Sequence, residues 1–221
     1  MTSSPIVALA TPPGQSGVAL IRLSGAGVVA MVQSICSNKN LNKAQGYSLH
    51  YGKIFDDNNW LDEVLVAVFR APHSYTGEEV VEISCHGSPY ISRRIVDVCI
   101  RQGARLALPG EFTQRAFLHG KMDLSQADAV ADMIAAENET QLRLAQYQLR
   151  GGYSHVMQTL RQELIDFTAL LELELDFSEE DVEFADRTKL CSLLDKTLDV
   201  IRELIRSFEW GNAVKEGIPV A

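Results

Sequence analysis

Arg22, Glu82 and Lys121 are the residues whose charge and setting could do chemistry in this sequence. Arg22 lies within the apolar run LIRLSG, and arginine is seldom fully buried without a partner. It therefore either faces water or lines a pocket. Glu82 lies between Val81 and Ile83, where a carboxylate either faces water or accepts hydrogen bonds in a cleft. Two parallel N–H donors, such as those on the edge of a pterin or guanine ring, fit the two oxygens of such a carboxylate.

Lys121 belongs to the dense stretch PGEFTQRAFLHGKMDL, which also holds Arg115 and His119. Gly120 permits a sharp exit from a short helix around residues 112–118. Lys121 is then expected at a junction between two domains, a place where ligand sites are common. Arg115 is expected at the surface or in an ion pair, and the role of His119 stays open.

Other motifs that carry chemistry are weak or missing. Gly25, Gly27 and Ala30 match the GxGxxA pattern of a dinucleotide-binding turn, but no acidic residue follows about 20 positions later. The sequence has no GxxxxGK[ST] phosphate loop and no GxSxG serine motif. Cys85 and His86 are adjacent in a predicted strand, so they point to opposite faces and do not suit one metal ion. No catalytic residue and no metal site are predicted.

Composition places the chain among ordinary globular proteins. It has 221 residues, of which 46% are hydrophobic and 22% charged. Four widely spaced cysteines without a CxxC pair are typical of reduced thiols in a cytoplasmic protein. The start, MTSSP, is unlike a signal peptide, and no apolar run is long enough to span a membrane.

Charge is unevenly distributed between the two parts of the chain. Residues 1–118 hold ten Lys and Arg against nine Asp and Glu, whereas residues 119–221 hold ten against twenty. An acidic second part argues against nucleic-acid binding along its whole surface, although a local basic patch remains possible.

The pattern of residues 1–118 predicts a mixed α/β domain. Short apolar runs bounded by Pro, Gly and polar residues indicate strands. The segment of residues 88–103 is expected to be a helix that Ser88 caps, Pro89 opens and Gly103 ends. The predicted strands are PIVALA, GVALIRLSG, YSLHYGKIF, EVLVAVF and EVVEISCH, and an earlier helix is AGVVAMVQSIC.

Residues 119–221 are expected to form an α-helical bundle domain. One helix should begin with a capping box between Ser125 and Asp128 and continue to the Gly151–Gly152 pair. Two more helices follow, the third from about residue 188 to 208, each with one apolar stripe that is left partly exposed unless further helices or a second chain cover it. The acidic segment DFSEEDVEFAD is interpreted as a solvated linker. The final EGIPVA is expected to begin a strand that continues beyond this chain.

Three blocks in order, IVALATPPGQSGVALIRLSG, SYTGEEVVEISCHGSP and PGEFTQRAFLHGKMDLSQADAVADMI, closely resemble the tRNA-modification GTPases of the MnmE (TrmE) family. The resemblance covers nearly the whole chain. It implies an α+β fold, with an N-terminal domain similar to the folate-binding module of the glycine-cleavage aminomethyltransferases and a helical domain after it. In this family GIPVA is followed by an inserted GTPase domain, so this segment alone is not expected to hydrolyse GTP. The sequence departs from the family at Ser88, where HGG is usual, and at His119, where Asn is common.

The resemblance also implies a ligand and partners. Members of the family bind 5-formyltetrahydrofolate, form homodimers and act with the flavoprotein MnmG (GidA) on C5 of the wobble uridine of certain tRNAs. Arg22, Glu82 and Lys121 match the family's folate-contacting positions. The hypothesis is that Glu82 reads the pterin edge, while Arg22 and Lys121 meet the formyl oxygen or the glutamate tail. GTP, magnesium and potassium are expected only with the GTPase domain. The alternative is a non-catalytic scaffold in which these three residues form ion pairs and the helices bind a protein partner.

Overall fold

A computed structural model describes residues 4–176 and 187–216 of the chain. The polypeptide forms two compact units, Met1–Met122 and Asp123–Ala221. The first is a mixed α/β unit and the second is helical, which confirms the predicted fold class. The segments behind the linker and final-strand predictions, residues 177–186 and 217–221, lie outside the described residues.

A six-stranded sheet organises the first unit. Its order is β3-β4-β5-β2-β1-β6, and all neighbouring strands are antiparallel except β1 and β6. The two-residue strand β6 was missed by the sequence analysis because it is too short to show alternation. The strands are β1 (Ile6–Leu9), β2 (Val18–Ser24), β3 (Ser48–Asp56), β4 (Asn59–Phe69), β5 (Val80–His86) and β6 (Arg105–Leu106).

Two helices cover one face of this sheet, α1 (Val28–Ile35) and α2 (Pro89–Arg101). Ser88 caps α2 by accepting a hydrogen bond from the N–H of Ile91, as predicted. The core between the helices and the sheet is formed by alternate residues of each strand, with contributions from both helices. Its fully buried members include Val7, Ile21, Leu23, Val29, Val32, Val66, Ile83 and Ile95.

The other face of the sheet carries the polar residues that the sequence analysis singled out. Along β2 and β5, the buried residues alternate with Arg22 and Glu82, which are only partly buried. Because the side-chain period of a strand is two, both point away from the helices. A short helix, α3 (Glu111–Leu118), follows β6, and the N–H of Lys121 donates to the carbonyl of Ala116 after it. The turn that carries Lys121 therefore remains part of this unit.

The second unit begins with two helices where one was expected. Helix α4 spans Leu124–Ala135 and α5 spans Glu139–Leu149. Asn138 caps α5, because its side chain accepts from the N–H of Gln141. The predicted capping box at Ser125 is also wrong. Asp123 is the N-cap residue, and it exchanges hydrogen bonds with Gln126.

Two longer helices follow, α6 (Gly152–Asp176) and α7 (Arg187–Glu216). On α6, the predicted apolar stripe includes the buried residues Leu160 and Phe167. On α7, the predicted stripe remains largely exposed, as at Leu194 and Leu198. An ion pair between Lys196 and Glu163 joins the two helices with an Nζ–Oε1 distance of 2.8 Å.

Candidate functional site

Arg22 and Glu82 are direct cross-strand neighbours. Strands β2 and β5 pair with Arg22 opposite Glu82, although 60 residues separate them in the chain. The Nε and Nη2 atoms of Arg22 both lie 2.7 Å from a single carboxylate oxygen, Oε1 of Glu82. Their side chains are 27% and 21% exposed, so the pair is partly buried but still accessible from solvent.

Two aromatic rings accompany the guanidinium of Arg22. Its Cζ atom lies 5.4 Å from the centroid of the Tyr75 ring and 5.7 Å from that of Phe112. These distances are within the range of cation–π attraction. The hydroxyl of Tyr75 shares a hydrogen bond of 2.9 Å with Thr113, which fixes the ring against α3. A planar cation, aromatic rings and a carboxylate therefore lie next to one another on this face of the sheet.

Tyr75 belongs to the loop of residues 70–79, defined here as the covering loop. Polar side chains fasten it to β2. The Ser24 hydroxyl lies 2.7 Å from the Thr76 hydroxyl and donates to Oε2 of Glu78 at 2.7 Å. Ser24 and Thr76 are both fully buried. Buried hydrogen bonds thus join the loop to β2.

Arg115 links the covering loop to α3 and to the start of the chain. Its guanidinium contacts Glu78 at 2.9 Å and Glu111 at 3.1 Å, and it donates to the carbonyl of Ser4 at 2.8 Å. Only 4% of the Arg115 side chain is exposed. Of the two alternatives expected for Arg115, the surface or an ion pair, the structure shows the ion pair. A buried guanidinium of this kind is tolerated because several acceptors satisfy its donors.

Glu111 forms ion pairs with two arginines. Arg105 pairs with it from β6, in addition to Arg115. The hydrogen bond from Arg105 is the main cause that lowers the pKa of Glu111 from 4.5 to about 2, with help from the N–H of Leu108 and from Arg115. Glu111 is therefore ionised at neutral pH and anchors the Arg115 network.

Lys121 contacts the covering loop at Pro72 and lies close to it at Gly77. Its ammonium donates to the carbonyl of Pro72 at 3.2 Å. Gly77, with a φ of +79°, lies so close to the turn that a Cβ atom built on it would be 3.0 Å from Cβ of His119 and 3.5 Å from Cγ of Lys121. Lys121 thus contacts the covering loop at Pro72, and Arg22 lies against the same loop at Tyr75. Of the three predicted residues, Arg22 and Glu82 are in direct contact with each other.

The two histidines singled out earlier have local roles. The ring Nδ1 of His119 lies 2.9 Å from the carbonyl of Arg115, at the end of α3. His86 uses its Nδ1 to contact Oδ1 of the buried Asp62 at 2.7 Å. Asp62 also accepts from the backbone N–H of His86, so this carboxylate fixes the end of β5.

The glycine motif before α1 is satisfied from within the protein. The N–H of Gly27 donates to Oε2 of Glu79 at 3.2 Å, and the N–H of Gly25 donates to the Glu79 carbonyl at 3.0 Å. A carboxylate of the protein occupies the place that a phosphate takes at a dinucleotide-binding helix.

The residues that surround Arg22 and Glu82 could not be recognised from the sequence alone. Tyr75 and Phe112 were not distinguished from other aromatic residues, although both lie in the blocks that carry the family resemblance. Of the two acidic partners of Arg115, Glu111 lies four residues earlier on α3, a spacing that the sequence already shows. Glu78 lies 37 residues earlier, and no local spacing connects it to Arg115. Within the described residues, no three His, Cys, Asp or Glu side chains gather as a metal site. In the same residues, no helix is long and apolar enough to cross a membrane.

The fold defines a protein with a mixed α/β domain followed by a helical domain, and comparison with known families agrees. Residues 5–121 match the model of the GTP-binding protein TrmE N-terminus. Residues 124–219 match the model of the MnmE helical domain. The chain belongs to the TrmE/MnmE family and contains its N-terminal and helical domains.

Several curated relatives are similar over the whole chain. The tRNA modification GTPase MnmE of Flavobacterium johnsoniae is 54% identical over 219 residues, which are 98% of this chain and 47% of that protein. The protein of the same name from Porphyromonas gingivalis is 52% identical over 220 residues, 98% of this chain and 46% of that protein. That of Bacteroides fragilis is 50% identical over 225 residues, 100% and 48% respectively. The chain thus spans about half the length of these relatives.

Proposed function

We propose that the first unit binds a one-carbon folate of the 5-formyltetrahydrofolate type in the cleft formed by Arg22, Glu82 and the covering loop. The observation that carries the proposal is the Glu82 carboxylate on the open sheet face, beside a guanidinium and two aromatic rings. A pterin is flat and has two parallel N–H donors, so it suits stacking on aromatic rings and pairing with a carboxylate. Lys121 supplies a cation for an oxygen acceptor of the ligand.

In the whole protein, we propose that this folate domain serves a tRNA-modifying GTPase. The relatives named above are tRNA modification GTPases, and they are about twice as long as this chain. GTP, magnesium and potassium would then be handled by a GTPase domain outside these residues. The flavoprotein MnmG and tRNA remain the proposed partners, with C5 of the wobble uridine as the proposed position of modification and the cytoplasm as the proposed location.

Homodimer formation through the first unit is supported by its exposed apolar side chains. Tyr47, Leu49 and Tyr51, on or beside the edge strand β3, and Leu65 on β4 are 44% exposed or more. Exposed apolar patches of this kind often mark contact surfaces. Sedimentation of the parent and of a Leu49→Lys variant tests this point. A parent that sediments as a monomer at all concentrations contradicts the dimer.

A second candidate is the scaffold without a ligand site. It is favoured by one observation, that Arg22 and Glu82 already form an ion pair with each other. In that case the pair serves stability alone. Removal of one partner of a buried pair typically costs about 3–5 kcal/mol, whereas an exposed pair contributes about 0–1 kcal/mol.

Calorimetric titration with 5-formyltetrahydrofolate separates the two candidates. The parent should bind saturably, and Glu82→Ala should weaken binding by at least about 30-fold, the loss typical of a truncated charged hydrogen-bond pair. Glu63→Ala is the matched control, because Glu63 also faces a cation, Lys53, across two strands of this sheet. It should bind like the parent. The proposal fails if the folded parent does not bind, or if Glu82→Ala loses stability but keeps its affinity.

A further inference from the structure

The Nε and Nη2 atoms of Arg22, which contact Glu82, are arranged like two hydrogen-bond donors on the edge of a flat heterocycle. A guanidinium offers parallel N–H groups from a planar N–C–N unit. The N3–C2–amino edge of a pterin has the same planar N–C–N unit with two parallel N–H donors. In this structure the guanidinium converges on Oε1 of Glu82 with two contacts of 2.7 Å. Arg22 thus already uses the acceptor that such a ligand needs.

The aromatic surroundings strengthen this likeness. Tyr75 and Phe112 lie 5.4 and 5.7 Å from Cζ of Arg22, so the planar cation has the neighbours that suit a flat heterocycle. Tyr75 is fixed by Thr113, and the covering loop is fixed by Ser24, so the rings are positioned independently of Arg22. The Arg22 side chain is 27% exposed, and Glu82 is the carboxylate that it pairs with among its described contacts, so a ligand can displace it without breaking a buried network.

We propose that Arg22 is a specificity-determining residue that acts as a built-in competitor for Glu82. A ligand with only the N–C–N edge, such as free pterin, must displace the guanidinium and leave it without its carboxylate. A ligand that also carries an acceptor, such as the formyl oxygen or a glutamate carboxylate, gives the displaced guanidinium a new partner. Arg22 thereby discriminates complete folates from bare pterins and other flat heterocycles. This inference rests on the proposed folate function.

The test compares two ligands on three proteins. Free pterin and 5-formyltetrahydrofolate are titrated into the parent, Arg22→Met and Lys53→Met. Methionine keeps an unbranched apolar side chain beside the aromatic rings but removes the competing donors. Lys53→Met is the matched control, because Lys53 is also opposite a carboxylate, Glu63, with an aromatic ring 5.3 Å away.

Arg22→Met is expected to bind free pterin more tightly than the parent, by at least about threefold, the size expected for release of a partly exposed ion pair. The same variant is expected to bind 5-formyltetrahydrofolate more weakly than the parent. Lys53→Met should change neither affinity. The opposite signs for the two ligands are the diagnostic result, because a purely structural role would weaken both together.

Two failures are distinguishable. If Arg22→Met weakens pterin and folate by the same factor while the parent binds both, Arg22 is a simple contact residue and the competitor proposal is overturned. If the parent binds neither ligand and Arg22→Met binds neither, the proposed folate function fails, and this inference fails with it. As a check that the variant is folded, its circular dichroism spectrum and urea midpoint should stay close to those of Lys53→Met.

Discussion

Two ion pairs on the open face of the same sheet have a similar plan and very different surroundings. Arg22 lies opposite Glu82, and Lys53 lies opposite Glu63. Each cation is also within cation–π range of an aromatic ring. The first pair is about one quarter exposed, whereas Lys53 and Glu63 are 44% and 43% exposed. The main difference is the covering loop, which lies over the first pair only.

The comparison indicates that a charged pair becomes a candidate site through what covers it. An exposed pair in water is worth little, because solvent screens it and both side chains lose rotamer freedom. Partial burial beside fixed aromatic rings raises the strength of each electrostatic contact and gives it a shape. In this protein the shape comes from buried charges farther away, at Arg115, Glu78 and Glu111, which hold the loop in place.

The largest expected effect is therefore the loss of stability when Arg115, which holds the covering loop, is replaced. Arg115→Met removes the buried guanidinium that pairs with both Glu78 and Glu111, and it should lower the free energy of unfolding of the first unit by about 3–5 kcal/mol. Arg22→Met should lower it by less than about 1 kcal/mol. Urea unfolding followed by Trp60 fluorescence, in a Trp210→Phe background, reports on this unit. Equal losses in both variants would contradict the contrast between cover and site.

The loss of stability in acid should also be larger for the residues that hold the covering loop than for the exposed pair. Because the pKa of Glu111 is lowered from 4.5 to about 2 in the folded state, its ionised form stabilises the fold fully above about pH 4.5. That contribution is lost as the pH falls toward about 2. The stability difference between the parent and Glu111→Gln should therefore shrink over this range. The pKa of Glu63 is also lowered, chiefly by a hydrogen bond from Tyr51, but this group is exposed, so Glu63→Gln should show a much smaller pH dependence. A difference for Glu111→Gln that stays constant from about pH 6 down to about pH 2, the range over which the lowered pKa of Glu111 should act, speaks against this assignment.

The smallest expected effect is a difference in salt sensitivity. Double-mutant cycles on Arg22–Glu82 and on Lys53–Glu63, each at low and high sodium chloride, give the coupling of each pair. The coupling of the exposed Lys53–Glu63 pair should vanish at high salt, since screening acts most strongly on exposed charges. That of Arg22–Glu82 should keep a measurable part. If both couplings vanish together, the covering loop gives the first pair no special environment.

Much of the first unit could be predicted from local patterns. The strand alternation of β2 and β5 and the cap and proline at the start of α2 depend on neighbours within a few residues. The contact between Arg22 and Glu82 could not be predicted from the residues alone, because it depends on β2 pairing with β5 across 60 residues. The sequence marked both residues as unusual, and only the register explains why.

The second unit shows where local patterns mislead. Its first segment has helical propensity on both sides of Asn138, so a continuous helix was the natural prediction. The side chain of Asn138 instead accepts a hydrogen bond from the N–H of Gln141, so Asn138 caps a new helix. The short side chain of asparagine can reach the nearby backbone in this way. The same applies to Asp123, which competes with Ser125 for the cap position and forms the box with Gln126.

The position of β1 in the sheet has a consequence for synthesis on the ribosome. This strand lies between β2, which follows within a few residues, and β6, which is made about a hundred residues later. The carbonyl of Ser4 likewise accepts a hydrogen bond from Arg115, which is also made about a hundred residues later. Strand β1 is therefore made early but gains its second neighbour late. The sheet cannot reach its full six strands until nearly the whole unit has emerged. During that interval the nascent chain exposes an unpaired edge at β1, which is open to non-native strand pairing.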